Sequence, residues 1–231
     1  MIKSPDQVSE LSLDSPNWLS TSSHWFSSNL GYVNGSDVTF YGSSGKDKVT
    51  AGGNNYQDTI KWYMGDGDDI IIEIGPGLGA LTQYLFGKVR KLILIEFDKN
   101  IAELLAEIFY GYDDVEVINE DAVKFDLTPF FQFGGVKVIG NLPYSSGSEI
   151  LRNFLTFPTP VTNAVFMLQK EVAERYSAIP RTKSYGINTV LIGSRWDVEK
   201  LNEVSSEPFF PPPKIKSLVI RLELKKDGHY K

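Results

Sequence analysis

Four consecutive residues, Asn141-Leu142-Pro143-Tyr144, combine groups suited to holding a flat, hydrogen-bonding ligand. The Asn141 amide offers an oxygen acceptor. Pro143 removes a backbone donor and restricts Leu142 to extended geometry, which can aim the Leu142 carbonyl into a cleft. Tyr144 adds a planar ring. Two acceptors and a ring suit a planar base with an exocyclic NH2, one acceptor for each hydrogen and the ring to stack on. An ordinary turn closing on a buried tyrosine accounts for the same four residues, so the tetrapeptide alone leaves both readings open.

Three further stretches bear on the same chemistry. Glu73-Ile74-Gly75-Pro76-Gly77-Leu78-Gly79-Ala80 directly follows an apolar run. Glycines there allow a tight turn and close approach of a ligand to the backbone, and the next helix start offers free N–H donors. The spacing Gly75-x-Gly77-x-x-Ala80 also fits a dinucleotide fingerprint, with Glu96 about the right distance on to hold a ribose. A nicotinamide enzyme or an unliganded turn therefore stays open at this point. Glu96 closes a second apolar run, where a carboxylate can accept from both ribose hydroxyls; Asp98 reads as a helix-start residue. Asn119-Glu120-Asp121-Ala122 closes a third run, where an acceptor can reach an adenine amine or where the chain makes a plain acidic loop.

The elements that must position these residues alternate. Strands are expected at 70–74, 91–96, 115–118, 136–139, 163–168, 197–204 and 217–224. Helices are expected at 78–86, 100–109, 148–157, 170–178 and 184–194. Ile101, Leu104, Leu105 and Ile108 share one face of the second of these. Strand–helix alternation implies right-handed crossovers and a mostly parallel sheet, with the last pair of strands antiparallel across a Pro-rich loop. Ligands in such sheets bind at the carboxyl ends of the strands, where strand order reverses.

The 231 residues are 42% hydrophobic and 23% charged, a globular composition. Cysteine is absent and the histidines are His24 and His229 alone, which excludes thiolate sites and argues against histidine triads. No metal site is expected. No apolar run approaches the ~20 residues of a membrane span, so a cytoplasmic protein is expected. The net charge is −6, unevenly spread: 4 Lys/Arg against 9 Asp/Glu in residues 1–70, 6 against 12 in 71–150, and 13 against 8 in 151–231. A basic last third beside an acidic middle permits one positive face.

Residues from about 69 to 225 resemble the small-subunit ribosomal RNA adenine N6,N6-dimethyltransferase family. The matching stretches are EIGPGLGALT at 73–82, Glu96 within IEFD, EDA at 120–122, NLPY at 141–144, MLQKEVAERY at 167–176, SYGINTV at 184–190 and FFPPPKIKS at 209–217. The large-subunit adenine methylases that confer macrolide resistance are related. The resemblance implies an α/β, Rossmann-like class I S-adenosylmethionine-dependent methyltransferase fold, with a mostly parallel seven-stranded sheet and helices on both faces. It implies methylation of adenine N6 in ribosomal RNA, with the RNA or the small ribosomal subunit as partner and a monomer without a stable protein partner. A cofactor site of Glu73, Gly75, Gly77, Glu96, Asp121, Ala122 and Asn141 is implied. The glycines hold the methionine part, Glu96 the ribose and Asp121 the adenine amine. Asn141, Leu142, Pro143 and Tyr144, with Phe209, form the implied target-base pocket, in which Tyr144 and Phe209 sandwich the adenine. Lys170, Arg175, Arg181, Lys183, Lys214 and Lys216 are candidate phosphate contacts.

The chain departs from that family at both ends. A Gly-Gln-Asn/His-Phe-Leu motif near the start and a helical C-terminal domain are not found, so cofactor affinity and recognition of intact particles are where it is expected to differ. The methyltransferase domain is taken as 63–231, and 1–62 as a loop-rich Ser/Gly/Asn segment. Gly42–Thr50 and residues 65–72 fit parts of a calcium-binding nonapeptide repeat, but aspartates 37, 47, 58 and 69 stand 10, 11 and 11 apart, wider than that period. The runner-up function is a non-catalytic RNA-binding or assembly relative that keeps the fold. A calcium-dependent β-roll protein comes third, and nicotinamide binding ranks last.

Overall fold

The computed structural model describes residues 38–41, 48–51, 60–62, 67–79, 81–204 and 216–225. Strands β1 (Val38–Tyr41), β2 (Lys48–Ala51) and β3 (Ile60–Trp62) form a small sheet in the order β2-β1-β3. The first nonapeptide match lies largely outside the described residues. In the second, Ile70 to Ile72 open a buried strand and Asp69 is paired with Lys137 at 2.8 Å, so that stretch belongs to the main sheet.

The main sheet comprises β4 (Ile70–Ile74), β5 (Lys91–Glu96), β6 (Val115–Asn119), β7 (Val136–Asn141), β8 (Val161–Gln169), β9 (Trp196–Val204) and β10 (Ser217–Leu224). Their order is β6-β5-β4-β7-β8-β10-β9. Every pairing from β6 through β8 is parallel, and β10 runs antiparallel to both its neighbours. The expected seven-stranded, mostly parallel sheet is therefore found. Strand order reverses between β4 and β7, which places the crevice at their carboxyl ends, beside Gly75 and Asn141.

Helices cover both faces. The side chains of β4 and β5 alternate between two apolar layers, as pleating requires. Ile70, Ile72, Ile74, Ile93 and Ile95 join one core with Ile150, Leu151 and Phe154 of α3 (Gly147–Leu155). Ile71, Leu92 and Leu94 join the other with Leu85 of α1 (Thr82–Leu85) and Leu105 of α2 (Lys99–Ile108). Helices α4 (Lys170–Tyr176) and α5 (Ile187–Gly193) complete the α3 side through Ala173, Tyr176 and Ile192. No helix among the described residues is long and apolar enough to cross a membrane.

One expectation about the elements needs correction, and one element was not expected. The helix expected over 78–86 is only the four residues of α1, because Gly75, Gly77 and Gly79 adopt φ of 64°, 54° and 88°, outside the right-handed helical region. The segment 128–133 forms a 3₁₀ turn that periodicity did not indicate. Pro129 stands in its first turn, and Phe130 and Phe133, three residues apart, come to one side with ring centroids 6.1 Å apart.

Candidate functional site

The Gly-rich turn is held by the neighbouring strand. Gly75 N–H donates to the Ile95 carbonyl at 2.9 Å, and Gly77 N–H to Glu96 Oε2 at 3.1 Å. At both glycines a β-carbon would find no atom within 4 Å, so the backbone lies bare on its open side. Their positive φ would strain any other residue. Glu96 is only 7% exposed, and its Oε1 accepts from Asp98 N–H at 2.9 Å. A carboxylate offers about four lone-pair positions, so two backbone donors leave acceptor capacity on both oxygens. Asp98 caps α2 as expected, its Oδ1 accepting from Asn100 and Ile101 N–H.

Glu73 approaches this turn from beneath. It is 1% exposed, and its Oε2 accepts from the Thr82 hydroxyl at 2.8 Å. Burial pushes its carboxyl up to about 7; the Thr82 bond opposes that shift and the charge of nearby Glu96 adds to it. Glu73 is thus tied to the first residue of α1, Thr82, whose role the sequence alone does not indicate.

The loop after β6 is tied to the loop after β5. Asn119 Nδ2 donates to the carbonyls of Glu96 at 2.9 Å and Phe97 at 3.1 Å. Asn119 therefore acts as a donor that joins two loops. Half-buried Asp121 accepts Val123 N–H on Oδ1 at 2.9 Å, which orients the carboxylate. Ala122 is buried, and its carbonyl takes Asn153 Nδ2 from α3 at 3.0 Å.

On the other side of the crevice β7 ends at Asn141, whose side chain is exposed. Gly140, paired with Ile74, lets β7 approach β4 here: a β-carbon would lie 2.9 Å from both the Ile74 carbonyl and Leu142 Cδ2. Leu142 buries its side chain and donates N–H to the Met167 carbonyl at 3.1 Å. The Pro143 carbonyl accepts from Ser146 and Gly147 N–H, turning the chain into α3. Tyr144 is 37% exposed and hydrogen-bonded through its hydroxyl to Ser217 Oγ at 2.9 Å. A small cleft beside these residues is lined by Leu142, Pro143, Tyr144, Gly147, Ser148, Leu168, Gln169 and Val172.

The structure therefore brings Gly75, Gly77, Glu96, Asn141 and the Leu142–Tyr144 turn to one end of adjacent strands, with Glu73 below and Asp121 at the β6 end. Phe209 and Lys214 lie outside the described residues. Among the candidate cations, Lys170 and Lys216 both pair with Glu203 at 2.5 Å, and the two lysines hold its carboxyl down to about 2. Arg175, Arg181 and Lys183 are exposed and make no ion pair among the described residues.

A glycine turn after β4, an acid closing β5 and an Asn-Leu-Pro-Tyr turn closing β7, on this strand order, define the class I methyltransferase fold. Within that class, the family described as Ribosomal RNA adenine dimethylase matches residues 59–230, and the chain belongs to it. It is 42% identical over 161 residues to the Ribosomal RNA small subunit methyltransferase A of Alkaliphilus metalliredigens (strain QYMF), covering 68% of this chain and 56% of that protein. A crystal structure of a dimethyladenosine transferase from Plasmodium falciparum superposes with a TM-score of 0.62 at 30% identity, covering 71% of this chain and 58% of that one. That of the 23S rRNA methyltransferase ErmE gives 0.59 at 29%, covering 70% and 63%. The chain thus spans less than two thirds of the length of each of these three relatives.

Proposed function

We propose that this chain transfers methyl groups from S-adenosylmethionine to the N6 amine of adenine in ribosomal RNA, dimethylating the small-subunit RNA. The observation that carries this reading is the meeting of two half-sites at the switch point. The bare glycine backbone with Glu96 lies at the ends of β4 and β5, and the Asn141–Tyr144 turn at the end of β7. The residues fit the cofactor: the open backbone at Gly75 and Gly77 leaves room for its methionine part, and Glu96 keeps acceptor capacity for ribose hydroxyls. Asp121 would accept from the adenine amine, beside Ala122, while Glu73 braces the turn. Bound there, the cofactor supplies an electrophilic methyl group on a sulfonium that carries its own leaving group.

The chain's own part is positioning and electrostatics. Adenine N6 is a poor nucleophile because its lone pair is delocalised into the ring. The Asn141 amide oxygen and the Leu142 carbonyl would accept its two hydrogens and turn that lone pair toward the methyl group. The same dipoles stabilise the positive charge that develops on nitrogen. Flipping the base costs a few kcal/mol, and stacking on an aromatic returns roughly 1–3 kcal/mol per contact, the role given to Tyr144 and Phe209. No side chain is assigned as base; the proton leaves to water after transfer. The exposed cations Arg175, Arg181 and Lys183 are the phosphate contacts of choice, since Lys170 and Lys216 already share Glu203. This reading takes the chain as a cytoplasmic monomer acting on the small ribosomal subunit or its RNA.

The test is transfer of labelled methyl to unmethylated small-subunit RNA, followed by digestion to nucleosides. Label on N6-methylated adenosine that disappears with Asn141→Ala is the expected result. Absence of label with cofactor binding retained favours the non-catalytic relative.

A further inference from the structure

We propose that Ser217 is a positioning residue that fixes the plane of the Tyr144 ring, and through it the stacked base; this rests on the reading of Tyr144 as the stacking platform. Ser217 opens β10 and is 1% exposed, in a strand otherwise buried through Leu218, Val219, Ile220 and Leu222. A hydroxyl in such a place is unfavourable unless it is hydrogen-bonded. Its partner is the Tyr144 hydroxyl at 2.9 Å, 73 residues away in sequence. The contact crosses the end of β8: Ser217 is in register with Gln169, which lines the cleft beside Tyr144.

The ring is consequently held at both ends. At its backbone end the turn is locked by Leu142 N–H on the Met167 carbonyl and by Gly147 N–H on the Pro143 carbonyl. At its far end the hydroxyl is anchored to a buried group on a different strand. Between these anchors the ring is 37% exposed, leaving surface for a base. A platform that is already oriented does not lose rotamer freedom when the base arrives. Without the Ser217 bond, the hydroxyl end is free to swing and the base must order the ring as it stacks.

Stacking acts on the bound base before and during transfer alike, so its loss appears in KM for RNA and leaves kcat alone. Ser217→Ala and Tyr144→Phe each remove the same bond. Each is expected to raise KM for RNA roughly 2- to 10-fold, the factor one neutral hydrogen bond is worth, with cofactor Kd unchanged. The double variant is expected to be no worse than either single one, because the bond is lost once. Additive losses, an effect on kcat or cofactor Kd, or unchanged KM in both variants would overturn the proposal. Tyr144→Ala run alongside separates the two ideas: if it leaves transfer intact, the stacking role itself fails and Ser217 with it. If Tyr144→Ala is impaired while Ser217→Ala is not, only the Ser217 proposal fails. A crystal structure of the Ser217→Ala chain reads the ring without any activity. A displaced or split Tyr144 supports the proposal, and a single unchanged rotamer refutes it.

Discussion

Replacing Glu73 by glutamine should change how the stability of this chain depends on pH. Glu73 is buried under the glycine turn, and its carboxyl is pushed from an ordinary value of 4.5 up to about 7, chiefly by desolvation. The folded state therefore holds this proton more tightly than the unfolded chain. Below about pH 4.5 both states are protonated and the contribution of the neutral carboxyl is fully present. As pH rises from 4.5 toward 7 the unfolded chain gives up the proton first, so stability falls. Above about 7 the folded state carries a buried charge and the contribution is gone. A difference of about 2.5 pK units corresponds to roughly 3 kcal/mol at 1.36 kcal/mol per unit, or about 6–12 °C in Tm for a chain of this size. Glutamine keeps an acceptor for the Thr82 hydroxyl and cannot ionise. Thermal or urea unfolding of both proteins from pH 4.5 to 8 should show the wild-type midpoint falling relative to Glu73→Gln across that window. The comparison uses the difference in slope, so any constant cost of burying an amide cancels. Parallel curves for the two proteins would refute the claim that Glu73 is forced to be neutral in the fold.

Other expectations concern the turn at β7 and the basic surface. Gly140→Ala places a methyl group 2.9 Å from the Ile74 carbonyl and Leu142 Cδ2, so it should destabilise the chain by about 1–3 kcal/mol in urea melts, as overpacking does. A melt like wild type would mean that β4 and β7 are not in this close contact. Replacing Arg181 and Lys183 together by alanine should weaken RNA binding and flatten its salt dependence by roughly 0.7–0.9 in log–log slope for each lost phosphate contact. An unchanged slope would remove both from the RNA-binding face.

Much of this architecture is legible in the sequence because the strands that carry it are buried on both sides. The Ile-rich run of β4, broken only by Glu73, and the Leu92–Ile95 run of β5 have few alternatives, and Asp98 sits where a cap must, two and three residues before the N–H groups it accepts. Glu96 and Asn141 stand at the carboxyl ends of β5 and β7, where a parallel sheet puts ligands. Local pattern fails where distant residues decide. The three positive-φ glycines shorten the first helix to Thr82–Leu85, since the turn is shaped by bonds to Ile95 and Glu96 on the next strand. The stretch Asn119–Ala122 reads as a place for an acceptor, yet its Asn119 donates to two carbonyls of another loop. Lys170 and Lys216 read as free cations, and only the antiparallel return of β10 beside β9 gives them Glu203 in common. The Tyr144–Ser217 bond is hidden for the same reason, since no spacing rule links residues two strands apart.

Steady-state transfer by Glu96→Gln and Tyr144→Ala, each run against both ligands, tests most directly whether the ends of β4, β5 and β7 form one site with two halves. Glu96→Gln should raise KM for S-adenosylmethionine by about 10- to 100-fold, the worth of hydrogen bonds to a charged group, and leave KM for RNA unchanged. Tyr144→Ala should do the reverse, raising KM for RNA with the cofactor constant intact. Both variants failing against the same ligand, or neither responding to the concentration of either, would contradict the division of the site at the switch point.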